Sequence, residues 1–144
     1  MTQKFLADVN FWLAIAIGAH ANHASAAHWF SSQGDDSVGY CRMTQQGFLR
    51  LLTDVRVFKT DAVTLPESWA IFDSLMDDPR VYFLRSEPAG LDDQWKVYTQ
   101  RPSFSPKVWN DAYLAAFAKT GNFELVTFDR GFVQYEGLRV TILS

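Results

Sequence analysis

Five short, mostly apolar runs, "KFLADVNF", "SVGYCR", "RVYFLR", "FELVTF" and "LRVTIL", are separated by longer segments of helical period. No other feature constrains the fold as much. A strand, a crossing helix and a second strand return the chain in the same direction, so these runs are expected to lie side by side in a mainly parallel sheet. Such a sheet is buried by helices on both of its faces.

The helical segments have their own punctuation. "WLAIAIGA" and "HASAAHWFSS" come first, ended by the turn "QGDD", and Thr44 is a suitable N-cap for "QQGFLRLLTD". In "LPESWAIFDSLMDD" the apolar Trp69, Phe72 and Met76 recur at steps of three and four, with Pro66 just inside the start. "LDDQWKVYTQR" reads as a helix. Ser105 and Pro106 read as the N-cap and first residue of "PKVWNDAYLAAFAKT", which Gly121 ends. With 144 residues, 48% of them hydrophobic, and no linker or repeat, the chain is expected to form one domain over 1–144.

Two positions resist a purely structural reading. Asp111 lies in the second turn of the last long helix, with Val108, Leu114, Ala115 and Ala118 on its stripe. A carboxylate on a core-facing stripe must be paired, hydrogen-bonded or bound to a metal. Asp129 follows "FELVTF" as Asp8 follows "KFLA", so both stand at the carboxyl ends of strands. In a parallel sheet these ends share the edge where open α/β folds place ligands. Converging carboxylates repel until one takes up a proton or a cation joins them. An all-oxygen set without Cys or His suits Mg²⁺ or Mn²⁺, which activates water and stabilises charge on a phosphoryl oxygen. Simpler roles compete: either strand-end Asp serves equally as a turn residue, and pairing with Lys107 or Arg101 would also account for Asp111.

Charge and cysteine content narrow the setting. The net charge is -3, which argues against holding nucleic acid by bulk electrostatics alone, yet with those three acids set aside the remainder equal the 13 Lys and Arg. The single Cys41 permits no internal disulfide and suits a reducing cytoplasm. Lys4, "FWLAIAIGA" and "AHA" imitate a secretory leader, but Asp8 and Asn10 interrupt it, and the run is too short to span a bilayer. No membrane association is expected. Twelve Phe, five Trp and five Tyr exceed what a small core needs, which suggests that some face a partner or ligand.

"FLADVNFWLA", "NHASAAHWF", "CRMTQQGFLRLLT", "WNDAYLAAFA" and "LVTFD", in this order over nearly the whole chain, resemble the PIN domain, above all the VapC-type toxin ribonucleases of toxin–antitoxin modules. The resemblance implies a three-layer α/β/α sandwich that cleaves single-stranded RNA at an acidic Mg²⁺ or Mn²⁺ site. Asp8, Asp111 and Asp129 would be its catalytic metal ligands, with Asn10 and Thr127 in support. It also implies a VapB-type antitoxin as partner and a homodimer. One departure stands out. Many members carry Glu after the Thr of the "CRMT" motif, where this chain has Gln45. An amide still offers an oxygen but lacks the charge, so weaker metal affinity is expected, and Glu at position 45 should restore it.

Arg42, Arg50, Lys96, Arg101 and Lys107 are candidates for the RNA backbone, and Trp95, Tyr98 and Trp109 for stacking on bases, against the simpler reading of core aromatics and a solvated face. His20, His23 and His28 match no closed zinc set and are expected to be structural. The apolar excess of "FWLAIAIGAHA" is expected to leave a groove for a partner. The alternative to a ribonuclease is a catalytically weakened domain that binds antitoxin or RNA. Phosphoryl transfer through Asp8 as nucleophile ranks behind both, because the second acid such enzymes place two residues on is here Asn10.

Overall fold

The computed structural model describes residues 4–144. In chain order the elements are β1 (Phe5–Ala7), α1 (Val9–Ala16), α2 (His23–Ser31), β2 (Val38–Cys41), α3 (Arg42–Leu52), α4 (Val55–Phe58), α5 (Leu65–Met76), β3 (Val81–Leu84), α6 (Leu91–Tyr98), α7 (Lys107–Thr120), β4 (Glu124–Thr127) and β5 (Val140–Ile142). Short 3₁₀ turns occupy Lys59–Asp61 and Arg130–Gln134. The five strands form one sheet in the order β3-β2-β1-β4-β5, and every pairing is parallel. With helices on both faces this is the expected α/β/α sandwich.

Period-two alternation divides the strand side chains between two cores. Ala7, Val38, Tyr40 and Val126 face a core closed by α1, α2, α3 and α5. Leu6, Cys41 and Leu125 face the other, closed by α6, α7 and the turn after β4. Register places Leu6 beside Leu125 and Ala7 beside Val126, so the two central strands present matched side chains to each core. Gly39 is required where it stands: a Cβ there would lie 2.8 Å from the Tyr82 ring, whose hydroxyl crosses β2 to donate to the Phe5 carbonyl.

Several boundaries differ from expectation. The first strand ends at Ala7, because the Asp8 carboxylate accepts the Phe11 N–H at 3.0 Å and so starts α1 three residues early. That shift buries Phe11, Trp12, Leu13 and Ala14, while Ile15 and Ile17 are half-covered. The expected partner groove along α1 is therefore largely core. Exposed apolar side chains lie instead on α4 and α5, at Val55, Val57, Leu65 and Trp69, and elsewhere at Val97, Phe104, Trp109 and Val133. Helix α3 begins at Arg42 with Cys41 as N-cap, and Thr44 closes the cap from its third position through the Cys41 N–H. Helix α7 begins at Lys107 after Pro106, and Ser105 contributes its carbonyl to Val108 rather than a side-chain cap. Two of the three histidines make structural hydrogen bonds: His20 accepts the Asn22 N–H and His23 bonds the Ala14 carbonyl, whereas His28 is exposed. Among the described residues no helix is long and apolar enough to cross a membrane.

Candidate metal centre

The carboxyl ends of β1 and β4 are neighbours, so Asp8 and Asp129 open onto a common cavity of about 580 Å³. Helix α7 brings Asp111 to its wall, and Asn10 on α1 lies there too. Leu114, Ala115 and Ala118 on the same stripe are buried, whereas Asp111 lies nearer the start of α7 and keeps 27% of its side chain exposed. All three acids anticipated from the sequence line one cavity.

Their environments differ. Asp8 is buried, its Oδ1 bound to the Phe11 N–H and its Oδ2 accepting from the Thr127 hydroxyl. Burial pushes its carboxyl from an ordinary 3.8 up to about 6, with nearby Asp129 and Asp111 adding to the rise and the two hydrogen bonds opposing it. The Thr127 hydroxyl in turn accepts the Asp129 N–H at 3.0 Å, so one side chain ties the two strand-end acids together. Asp129 caps the turn that follows it, and the Gly131 N–H at 2.8 Å holds its carboxyl below the usual range, aided by Lys107.

Lys107 answers the question raised by Asp111. One turn away on α7, its ammonium lies 3.0 Å from Asp111 Oδ2 and 3.0 Å from Asp129 Oδ2. Hydrogen bonds to Asp129 and Asp111 raise its pKa above the ordinary lysine value. The pairing considered from sequence is therefore present, and the three acids share a cavity wall. Among the described residues no three acidic, His or Cys side chains stand close enough to enclose one ion. The donor set nonetheless fits a hard divalent cation, because two carboxylates already share a positive charge, a third is buried beside them, and all the ligating atoms are oxygen.

Helix α3 corrects the sequence reading of the opposite wall. Met43, Gln46, Gly47 and Arg50, spaced by three and four, face the cavity. Gln45 is off that stripe: it is buried, and its Oε1 accepts from Arg42 Nη1 at 2.5 Å. Arg42 packs over the Phe83 ring and does not line the cavity. The helical register that placed Arg50 on the wall was available in "MTQQGFLR", once Met43 rather than Thr44 is taken as the start of the stripe. A Cβ on Gly47 would approach Val9 Cγ2 to 2.8 Å, so glycine lets α1 and α3 meet beside the acids. Of the other cations named from sequence, Lys107 lines this cavity and Arg101 a smaller neighbouring one.

A family model for the PIN domain matches residues 5–138. Ribonuclease VapC41 of Mycobacterium tuberculosis is 43% identical over 143 residues, covering 96% of this chain and 98% of that protein. The solved structure of VapBC2 from Rickettsia felis, bound to a DNA fragment from its promoter, covers 99% of this chain and 100% of its own, with a TM-score of 0.70 at 10% identity. Mycobacterium tuberculosis VapC20, a sarcin-ricin loop cleaving toxin, gives 0.60 at 19% identity over 94% of this chain and 99% of its own. At those identities the two structures speak for the fold alone. The chain belongs to the PIN-domain family and, through its near full-length match to VapC41, to the VapC ribonucleases within it.

Proposed function

We propose that this protein is a metal-dependent endoribonuclease that cuts single-stranded RNA, the toxin of a toxin–antitoxin pair held in check by a VapB-type antitoxin. The observation that carries the reading is the meeting of Asp8, Asp111 and Asp129, from two strand ends and a helix, on one cavity. These three would hold Mg²⁺ or Mn²⁺, which when bound supplies an activated water and neutralises charge on the scissile phosphate. Thr127 fixes the orientation of Asp8, and Asn10 offers a neutral donor or acceptor at the rim. Arg50, on the α3 wall, makes no ion pair with any described acid and is placed to bind a non-bridging phosphate oxygen. Lys107 is a second cation for the RNA backbone once a metal has taken over its carboxylates. The match to VapC41 and the likeness to VapBC structures support the toxin role, with a homodimer as the expected assembly.

The test is cleavage of mixed RNA by antitoxin-free protein in Mg²⁺ or Mn²⁺, with EDTA and Asp8→Asn controls. Asn retains the ability to cap α1, so the substitution removes the charge without removing the helix start. Loss of discrete cleavage in both controls is expected. The Lys107 bridge favours one other reading, a weakened domain that binds antitoxin or RNA without turnover. Binding with no cleavage in either metal would establish it.

A further inference from the structure

We infer that the loop between α6 and α7 forms a subsite for an unpaired nucleobase of the RNA, beside the acidic cavity. This deepens the ribonuclease reading and rests on it. Phe104 is 102% exposed and Trp109 59% exposed, an unusual outlay of aromatic surface for a loop and a first helical turn. Together with Arg101, Ser103 and Ser105 they line a cavity of about 250 Å³.

Its parts are held in place. The Arg101 guanidinium donates to Gln134 Oε1 and to the Tyr98 carbonyl, and lies 5.2 Å from the centre of the Tyr135 ring. With five donors on a planar fork, it retains N–H groups for a base edge or a phosphate. Trp95 donates its indole N–H to the Trp109 carbonyl at 3.0 Å, and the two rings meet edge to face at 6.0 Å. That contact fixes the first turn of α7 and leaves Trp109 open to solvent.

The occupant follows from position and charge. Val108 and Trp109 line this cavity, whereas Lys107, Asn110 and Asp111 line the acidic one, so a single helical turn separates them. An RNA strand with a phosphate at the acids passes over that turn, and its flanking base meets Phe104 and Trp109. Among the described residues, Arg101 is the only charged side chain on the smaller cavity, which suits a polyanionic strand. Aromatic faces accept any base, so the subsite supplies affinity with little sequence preference.

The test uses the Asp8→Asn protein and a fluorescein-labelled single-stranded oligoribonucleotide, read by anisotropy. Phe104→Ala and Trp109→Ala should each weaken binding about tenfold, the size of one lost stacking contact. Phe104 has no buried contact to lose, so its variant should unfold at the parent temperature. An oligomer with abasic positions should bind the parent weakly and show no further loss with Phe104→Ala. Undiminished affinity in both variants, or equal losses with intact and abasic RNA, would overturn the subsite while leaving the nuclease reading standing. If the unsubstituted protein neither binds nor cuts RNA, the nuclease reading fails, and the subsite with it.

Discussion

The Thr127 hydroxyl donates to the Asp8 carboxylate across the junction of the two central strands. Because the same oxygen accepts the Asp129 N–H, its proton has one direction to point, and Asp8 is held in one orientation. Thr127→Val preserves shape and removes the hydroxyl. A lost hydrogen bond to a charged group costs about 1.5–3 kcal/mol. The variant should lose kcat with little change in KM, since RNA binding does not depend on the orientation of Asp8. Steady-state kinetics decide it, and a change confined to KM would show that Thr127 acts on substrate binding.

The raised pKa of Asp8 makes the metal-free protein pH-dependent. Its carboxyl binds a proton more tightly in the folded chain, at about 6, than at the ordinary 3.8. The stability it contributes is therefore complete below 3.8 and lost as pH climbs through about 6, roughly 3 kcal/mol at about 1.4 kcal/mol per unit. Asp129, held low by the Gly131 N–H, acts in the opposite sense and only as pH falls below the ordinary carboxylate value. Denaturant unfolding in EDTA from about pH 4 to pH 7 should show the loss, and Asp8→Asn should flatten the profile. Mn²⁺ binds the ionised form, so its apparent affinity should rise over the same interval.

Lys107 is a competitor for the ion. Its side chain is 68% exposed and those of Asp111 and Asp129 are 27% and 33% exposed, so solvent screens both pairs to the scale of about 0–1 kcal/mol. Displacing it costs little. Lys107→Met should raise Mn²⁺ affinity a few-fold by calorimetry and lower the melting temperature of the metal-free protein as Asp111 and Asp129 lose their shared cation. Weaker Mn²⁺ binding in the variant would mean that the ammonium helps to organise the site.

The order of elements and the edge carrying Asp8 and Asp129 were legible because strand alternation and strand ends are local properties of sequence. The status of Asp111 was not, since pairing and metal ligation make the same demand for a cation, and only the position of Lys107 shows that the first is present. Helix α3 is capped three residues before the expected position, because its N-cap is Cys41, an uncommon residue there, while Thr44, a common one, sits at the third helical position. The exposure of Phe104 depends on how the α6–α7 loop packs, which no spacing in "QRPSFSP" records.

The register of α3 decides where an added acid would reach the cavity. A residue at position 45 belongs to the buried stripe with Phe48 and Leu52, and Gln45 already spends its oxygen on Arg42. Glu there would pair with the same guanidinium and leave the cavity charge unchanged. Position 46 is exposed on the cavity stripe with Met43, Gly47 and Arg50, opposite the acids that follow β1 and β4 and the acid on α7. Gln46→Glu should therefore tighten Mg²⁺ binding, by about tenfold for one added carboxylate acting at close range, whereas Gln45→Glu should leave it within error. Calorimetric titration of both variants at one pH separates the two. Tighter binding in Gln45→Glu alone would mean that α3 rotates when the metal enters, and that the metal-bound site differs from the one described.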